Sequence, residues 1–594
     1  MKKKRRAAKE KGFNLLSFFS KEVFIVAGLL LLALILRLIY LSHLKVNDPN
    51  FYQPPSGTDM LTYHNYAQQI LNGTFGKEPY YYGPLYSYFL ALVYKIFGVN
   101  PYIASLIQMM LGVATSLLIY FIAKKVFNKT VAFISISISI FYGMFYIYEG
   151  VLLMESLVTF LNTLSIFLLL RIENNPSYKN IAFAGIAIGL SALARANILL
   201  FVPFILIWIF FNSKLITHNS KLLRFAFLCL VILLTISPAT IRNYLVSGRF
   251  ILISTNGPIS FWTGNHPGAP GEYVNATPKP NVGYIEDTLS FIRKDPKGYL
   301  NLQKKKFLLF WSEYEIVNNV NHELQKSYSF LFKFPHLSFG PVALLALVGI
   351  ALSLRKGKRC LLLYLNIFSL MTAIVIVFVT ARYRLSILPF LIIFASFSLY
   401  WWSKKIREKK IGVILLSILL LVPSWALVYS NSLYVLLHPE GRWIETEEMT
   451  IVKDCSDLLW HGEKECLRAS QDRLKKEFIL PDGIEKYKEV ILWLDFTTGP
   501  NPGSIFVTVN NGKEIIVSPP PFDKEFPGYA SLHFKPDSFC KGRNTIVFGL
   551  PCSADIRLSI DRYYTFGRSY VYKEGRWKKL KKGEYMVFIK LISK

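Results

Sequence analysis

Acidic residues are scarce in this chain. It has 38 Asp or Glu against 68 Lys or Arg, a formal net charge of +30. Much of the excess lies in short clusters between apolar runs, where the cytoplasmic loops of membrane proteins carry it. Nucleic acid is therefore not the expected partner. The six cysteines include no CxxC pair, which argues against a zinc site. No small-residue cleavage site follows the first apolar run, Glu22–Ser42, so that run reads as an uncleaved anchor rather than a signal peptide. No glycine-rich nucleotide-binding loop is visible, so nothing points to a nucleotide-linked substrate.

Apolar residues are what the chain has in plenty, 52% of the total. Several uninterrupted runs reach about 20 residues, the length that spans a bilayer. The spans read as Glu22–Ser42, Pro101–Ala123, Val131–Tyr148, Val151–Leu170, Asn180–Ala194, Asn197–Phe211, Leu222–Thr240, Phe330–Leu354, Leu361–Thr380, Leu385–Trp402 and Ile411–Tyr429. The sequence thus predicts a polytopic α-helical protein of the cytoplasmic (inner) membrane with about eleven transmembrane helices. The basic N-terminal segment, residues 1–21, opening MKKKRRAAKEKG, sets the N-terminus inside. Alternate loops then hold Lys124/Lys125/Lys129, Arg171/Lys179, Lys214/Lys221/Arg224, Arg355/Lys356/Lys358/Arg359 and Lys404/Lys405/Arg407/Lys409/Lys410, as cytoplasmic loops should. The membrane domain is 22–436, with 44–100 and 241–329 as external loops.

From about Leu437 the composition turns polar and the apolar residues alternate. Ile505–Val509 and Glu514–Val517 flank Asn510-Asn511-Gly512, a hairpin signal. Residues 437–594 are expected to form an extracytoplasmic β-sandwich. Cys455, Cys466, Cys540 and Cys552 fall there and are disulfide candidates, with three connectivities open. Cys229 and Cys360 belong to the membrane domain and are expected to be inert.

The stretch Gly57–Gly98 is too polar to span and too apolar toward its end to be a free loop, so it should lie on the membrane surface. It carries Asp59, Tyr63 and the run Tyr80-Tyr81-Tyr82 before Gly83-Pro84-Leu85. Asp59 reads either as an Asx-turn carboxylate or as a general base. Glu155 reads as an acid for chemistry or as an arginine's structural partner, and Glu149 as the weaker choice. Arg195, Arg242, Arg382 and Arg384 gather at the outer ends of spans. Guanidinium forks there suit a phosphate, including a lipid headgroup, and nonspecific lipid contact is the bland alternative. The loop ISTNGPISFWTGNHPGAPGEY offers Asn256, Asn265 and His266 beside Trp262, a set that suits a sugar or phosphate cradle.

Taken in order, the anchor, the Asp59 loop, YYYGPLYSYFLALVYKIFG, the acid in ESL, ALARANILLFVPF, IRNYLVSGRFILISTNG…TGN and RYRLSILPF resemble the bacterial polytopic glycosyltransferases of the dolichyl-phosphate-mannose protein mannosyltransferase and aminoarabinose transferase superfamily, the GT-C fold. The likeness covers about residues 22–402. It implies sugar transfer from a polyprenyl-phosphate-linked donor to a lipid, glycan or protein acceptor outside the membrane, with inversion at the sugar carbon. It implies that Asp59 is the first-loop catalytic acid, that Glu155 is the acid of the second outer loop, and that Arg242, Arg382 and Arg384 face the lipid phosphate. Many members carry two adjacent acids where this chain has Asp59 and Met60. No cofactor is required by this reading. A divalent metal bridging Asp59 and the phosphate stays open, and its ligands are unknown. The rival expectation is a lipid-linked glycan transporter with a glycan-binding external domain, which would need polar residues along a path through both leaflets.

Overall fold

A computed structural model describes residues 21–593, apart from 56, 212–217, 268, 274–282, 321 and, in the C-terminal part, 431–441, 446–448, 454–462, 467–473, 481–486, 499–504, 511, 513–514, 518–528, 540–541, 550–555, 562–568, 574–575, 580–583 and 586. The chain divides into two compact units. The first comprises residues up to Pro258, His322–Ile376 and Ala381–Ser424; the second comprises Ile259–Asn321, Val377–Thr380 and residues from Trp425 on.

The helices in chain order are α1 Lys21–Asn47, α2 Asp59–Leu71, α3 Leu85–Phe97, α4 Pro101–Val126, α5 Lys129–Ile140, α6 Gly143–Glu149, α7 Glu155–Asn174, α8 Tyr178–Ala194, α9 Val202–Phe211, α10 His218–Ser247, α11 Gly257–Thr263, α12 Tyr284–Lys294, α13 Pro296–Trp311, α14 His322–Ser327, α15 Phe339–Ser353, α16 Leu361–Val377, α17 Ala381–Arg384, α18 Leu388–Arg407, α19 Ile411–Ile418 and α20 Leu421–Val428. Among the described residues five helices are long and apolar enough to cross a membrane, the ones running through Lys21–Asn47, Pro101–Val126, Glu155–Glu173, Ser220–Ser247 and Phe339–Arg359. Five shorter apolar helices accompany them. The protein is a multi-pass membrane protein.

Several expected spans are subdivided. Val131–Tyr148 is α5 and α6, broken at Phe141–Tyr142, where the backbone of Tyr142 bridges to Leu337. The span expected from Phe330 begins at Phe339, after a short 3-10 turn, and Ile411–Tyr429 is the pair α19 and α20. Asn197–Phe211 starts as a 3-10 turn before α9. Helix starts follow local capping chemistry. The side chains of Asn100, Asn128 and Ser177 each accept a hydrogen bond from a backbone N–H in the first turn of α4, α5 and α8.

Helix α7 is the central element. Seventy-two per cent of its apolar window is buried within the protein, against 17% for the peripheral α1. A carboxylate at the head of α7 is therefore cut off from water and must find partners. Small residues let the neighbouring helices close up. Gly189 on α8 faces Thr235 of α10, and Gly349 on α15 faces the Phe394 carbonyl of α18, a packing mode typical of membrane bundles. Gln108 on α4 donates to the carbonyl oxygens of Glu149 (2.9 Å) and Val151 (2.7 Å). It thereby fixes the turn that leads into α7.

The second unit contains α12, α13 and fourteen described strands. One antiparallel sheet runs Arg442–Glu445 (β1), Met449–Lys453 (β2), Val587–Ser593 (β14), Tyr487–Thr498 (β5), Ile556–Asp561 (β10) and Glu584–Tyr585 (β13). Glu463–Cys466 (β3) pairs β10 and Tyr529–Phe534 (β8) pairs β5 at its sides. The other sheet runs Arg576–Lys579 (β12), Ser569–Lys573 (β11), Leu474–Leu480 (β4), Gly542–Gly549 (β9), Ile505–Val509 (β6) and Ile515–Val517 (β7). The hairpin expected around Gly512 is the antiparallel pair β6–β7. Cys455, Cys540 and Cys552 and the side chain of Cys466 lie outside the described residues, as do the connections between most strands, so the disulfide expectation falls there too. Cys229 and Cys360 are free thiols.

Candidate active site

The first unit gathers Asp59, Tyr82, Glu155, Arg195 and Arg382 into one buried network. Asp59 is the first residue of α2. Thr58 caps that helix, its hydroxyl oxygen accepting from the Leu61 N–H, so the carboxylate stands where the helix dipole favours negative charge. The Tyr82 hydroxyl donates to Asp59 Oδ1 at 2.8 Å, and Arg382 Nη1 donates to Oδ2 at 2.7 Å. Arg382 Nε lies 3.8 Å from Glu155 Oε1, and Arg195 Nη2 donates to the same oxygen. Arg382 thus bridges two carboxylates, and Glu155 is held between two guanidiniums. The ring of Tyr383 sits beneath both, with Arg195 4.4 Å and Arg382 5.1 Å from its centroid, a cation–π arrangement.

Burial would raise the pKa of Asp59, but the charge of Arg382 and the hydrogen bonds from Arg382 and Tyr82 outweigh it and hold the carboxyl below its usual range. Burial likewise works against the charge on Arg382, and Asp59 and Glu155 beside it keep the guanidinium protonated. For Tyr82, burial first and Asp59 second push the phenol up, so it stays a hydrogen-bond donor.

Tyr63 is fully buried. Its ring packs edge-on against Tyr86 at 4.9 Å and tilts against Tyr82 at 5.4 Å. Asn256 donates its backbone N–H to the Tyr81 carbonyl and so supports the tyrosine run. Arg242 donates to the carbonyls of Gly76 (2.7 Å) and Glu78 (3.1 Å) and lies 4.1 Å from the Tyr80 ring. Its described contacts brace the loop that delivers Tyr82, and none is to the Asp59 network. Arg384 is buried over Phe339 at 3.9 Å. Glu149 is buried too, paired with Arg37.

Asn265 and His266 belong to the second unit. Asn265 Oδ1 accepts from Gln303 Nε2 (2.8 Å) and from Lys306 Nζ (2.7 Å), which also donates to the Val377 carbonyl at 3.0 Å. His266 stacks on Trp262 at 4.7 Å, and Trp262 Nε1 donates to Asp287 at 2.7 Å. Burial lowers the Lys306 pKa to about 7. A neutral amine still has two N–H groups for its two carbonyl-type acceptors. Between about pH 7 and the ordinary lysine value the unfolded chain holds a proton that the folded one does not, so stability should rise with pH across that window, by as much as about 1.4 kcal/mol per unit. Amide exchange of α13 at pH 7, 8 and 9 measures this. The slope should flatten in Lys306→Met; a slope unchanged by that substitution would assign it elsewhere.

Two residues have roles that the sequence did not show. Tyr383 lies inside the quoted RYR motif, but only the fold puts its ring under both guanidiniums. Gly83 is the other. A Cβ there would meet the carbonyl oxygens of Ala194 and Leu193, the latter at 2.6 Å, so the backbone beside Tyr82 touches the backbone that leads to Arg195. Gly83→Ala should cost about 1–3 kcal/mol by overpacking and pull Tyr82 from Asp59. Thermal unfolding checks the first effect, and an unchanged melting temperature would mean that the contact can relax.

Residues 77–241 match the family model described as dolichyl-phosphate-mannose-protein mannosyltransferase. Over that stretch, somewhat more than a quarter of the chain, the sequence is similar to the protein mannosyltransferases. No curated protein matches the sequence. Among solved structures it is similar to the oligosaccharyltransferase of Archaeoglobus fulgidus, in a crystal with Zn and sulfate (16% identity, 67% of this chain and 52% of that one, TM-score 0.40). It is also similar to ArnT from Cupriavidus metallidurans bound to undecaprenyl phosphate (14%, 66% and 63%, 0.39) and to the S. cerevisiae protein O-mannosyltransferase Pmt1-Pmt2 complex bound to the sugar donor (16%, 42% and 37%, 0.31). The chain spans about half the length of the archaeal enzyme.

A divalent metal is the one inorganic group this family reading raises. The guanidinium of Arg382 lies between Asp59 and Glu155 and already supplies the positive charge that these two carboxylates share, with Asp59 accepting from Tyr82 and Arg382. Among the described residues no three His, Cys, Asp or Glu gather to hold an ion. Asp59 is the one carboxylate of this network that would hold a metal against the donor phosphate, where the ion would offset the phosphate's charge.

Proposed function

We propose that this protein transfers a sugar from a polyprenyl-phosphate donor to an acceptor hydroxyl or amine at the outer face of the cytoplasmic membrane. The observation that carries this reading is the ionised Asp59, held by Tyr82 and Arg382 at the start of α2. The family match over residues 77–241 supplies the reaction class. Asp59 takes the proton from the acceptor O–H or N–H. The acceptor atom bonds to the anomeric carbon as the carbon–oxygen bond to the phosphate breaks, and that electron pair leaves on the polyprenyl phosphate. Attack opposite the leaving group inverts the sugar carbon. Arg382, Arg384 and Arg195 supply positive charge for the phosphate as it departs, and Glu155 holds two of them in place. Arg242 serves the same end indirectly, through the loop that carries Tyr82.

A panel of radiolabelled polyprenyl-phosphate sugars, offered to the purified protein in lipid, tests the reading. Release or transfer of label from one donor supports it and names the sugar. Failure of every donor to bind would sink it and favour transport of a lipid-linked glycan.

A further inference from the structure

Behind the network lies a small chamber inside the first unit. It measures about 10 Å³ and is lined in part by Gly112 and Thr115 of α4, Glu149 of α6, and Glu155, Ser156 and Thr159 of α7. Two of these lining residues carry a buried polar atom without a hydrogen-bond partner in the protein, Glu155 Oε2 and Ser156 Oγ. Glu155 is only 1% exposed. A carboxylate oxygen in that setting is costly unless something donates to it.

On the other side stands Glu149, whose Oε2 and Oε1 accept from Arg37 Nε (2.7 Å) and Nη2 (3.0 Å). The Glu149 carboxylate occupies the space that a side chain at position 112 would need, so the glycine admits it to the chamber. Each of its oxygens keeps a lone pair beyond those used by Arg37.

We propose that this chamber is a built site for one water molecule. The water donates to Glu155 Oε2 and accepts from Ser156 Oγ, and its second proton faces Glu149. Its volume is roughly that of a single water centre, and the wall offers the two to four polar partners such a water requires. The water joins two ion-pair systems. Arg37–Glu149 becomes a support for Glu155, and through Glu155 for Arg382 and Asp59. Glu149 is thus a positioning residue, acting through the water and Glu155 without touching substrate. This role rests on the transfer reading above; the water itself does not.

The first test is a structure of the purified protein in lipid, resolved finely enough to show internal water. One peak is expected within about 2.7–3.2 Å of both Glu155 Oε2 and Ser156 Oγ. A continuous chamber wall with no peak there would overturn the proposal, whether or not the protein transfers sugar. The second test compares Ser156→Val with Ser156→Ala. Valine fills the chamber and expels the water, so the turnover number should fall about tenfold with the donor KM unchanged, whereas alanine leaves room for the water and should cost no more than about threefold. Equal losses in the two variants would mean that only the hydroxyl matters. The third replaces Arg37 and Glu149 together by Leu, which removes the pair without stranding a charge. A normally folded double variant with wild-type turnover would refute the positioning role.

Discussion

Asp59→Asn is expected to lower the turnover number by about 10²–10⁴-fold, the share of a positioned general base, while the protein still inserts and still binds its donor. The amide is nearly the same size. It can accept from Tyr82 or Arg382 through its oxygen, but it has no basic oxygen for the acceptor's proton. Turnover and donor affinity measured side by side decide the point. A variant with full turnover would remove Asp59 from the chemistry, whereas one that no longer binds donor would make it a binding residue. The pH dependence gives an independent check. Because Arg382 and Tyr82 hold the Asp59 carboxyl below its usual range, the base stays ionised across the neutral region. The rate should therefore show no acid limb from this residue above about pH 4. The same depressed pKa contributes stability that is present above the ordinary carboxylate value and lost as the pH falls through the folded one.

Arg382→Met is expected to have the largest effect on stability. The guanidinium serves Asp59 at 2.7 Å and Glu155 at 3.8 Å. Its removal leaves one buried carboxylate short of its main partner and the other dependent on Arg195 alone. Truncating one member of a buried charge pair costs about 3–5 kcal/mol. Arg382→Lys keeps the charge but not the fork, and a single ammonium cannot reproduce the bridge. That variant should fold, with turnover reduced by about 10²–10³-fold. Thermal unfolding in lipid and steady-state turnover separate the two effects. A melting temperature for Arg382→Met equal to that of the native chain would mean that the bridge does not hold the bundle together.

Much of this site was legible in the sequence because charges inside a greasy chain are conspicuous. Asp59, Glu155, Arg195 and Arg382 stood out as outer-end charges, and burial explains why they meet, since each needs a counter-charge where water is absent. Arg242 stood out for the same reason, yet its described contacts are to the carbonyls of Gly76 and Glu78. A guanidinium satisfied by backbone oxygens cannot be told from a phosphate ligand by its position in the chain. The spans were legible as apolar lengths, but their breaks were not. Phe141–Tyr142 interrupts an unbroken apolar run because a backbone bridge to Leu337 captures it, a contact from nearly two hundred residues away. The partnership of Arg37 and Glu149 was hidden in the same manner. Arg37 lies inside the first apolar run, and only the fold shows that it turns inward onto Glu149.

The contact of Gly83 with the carbonyls of Ala194 and Leu193 has a mechanical consequence. Tyr82 and Arg195 are carried by main chains that touch with no side chain between them. Lifting the loop that bears Tyr82 therefore also disturbs the seat of Arg195, and with it the grip on Glu155. The two arms of the network are therefore coupled through main chain, so that Tyr82 and the Arg195–Glu155 pair move together or not at all.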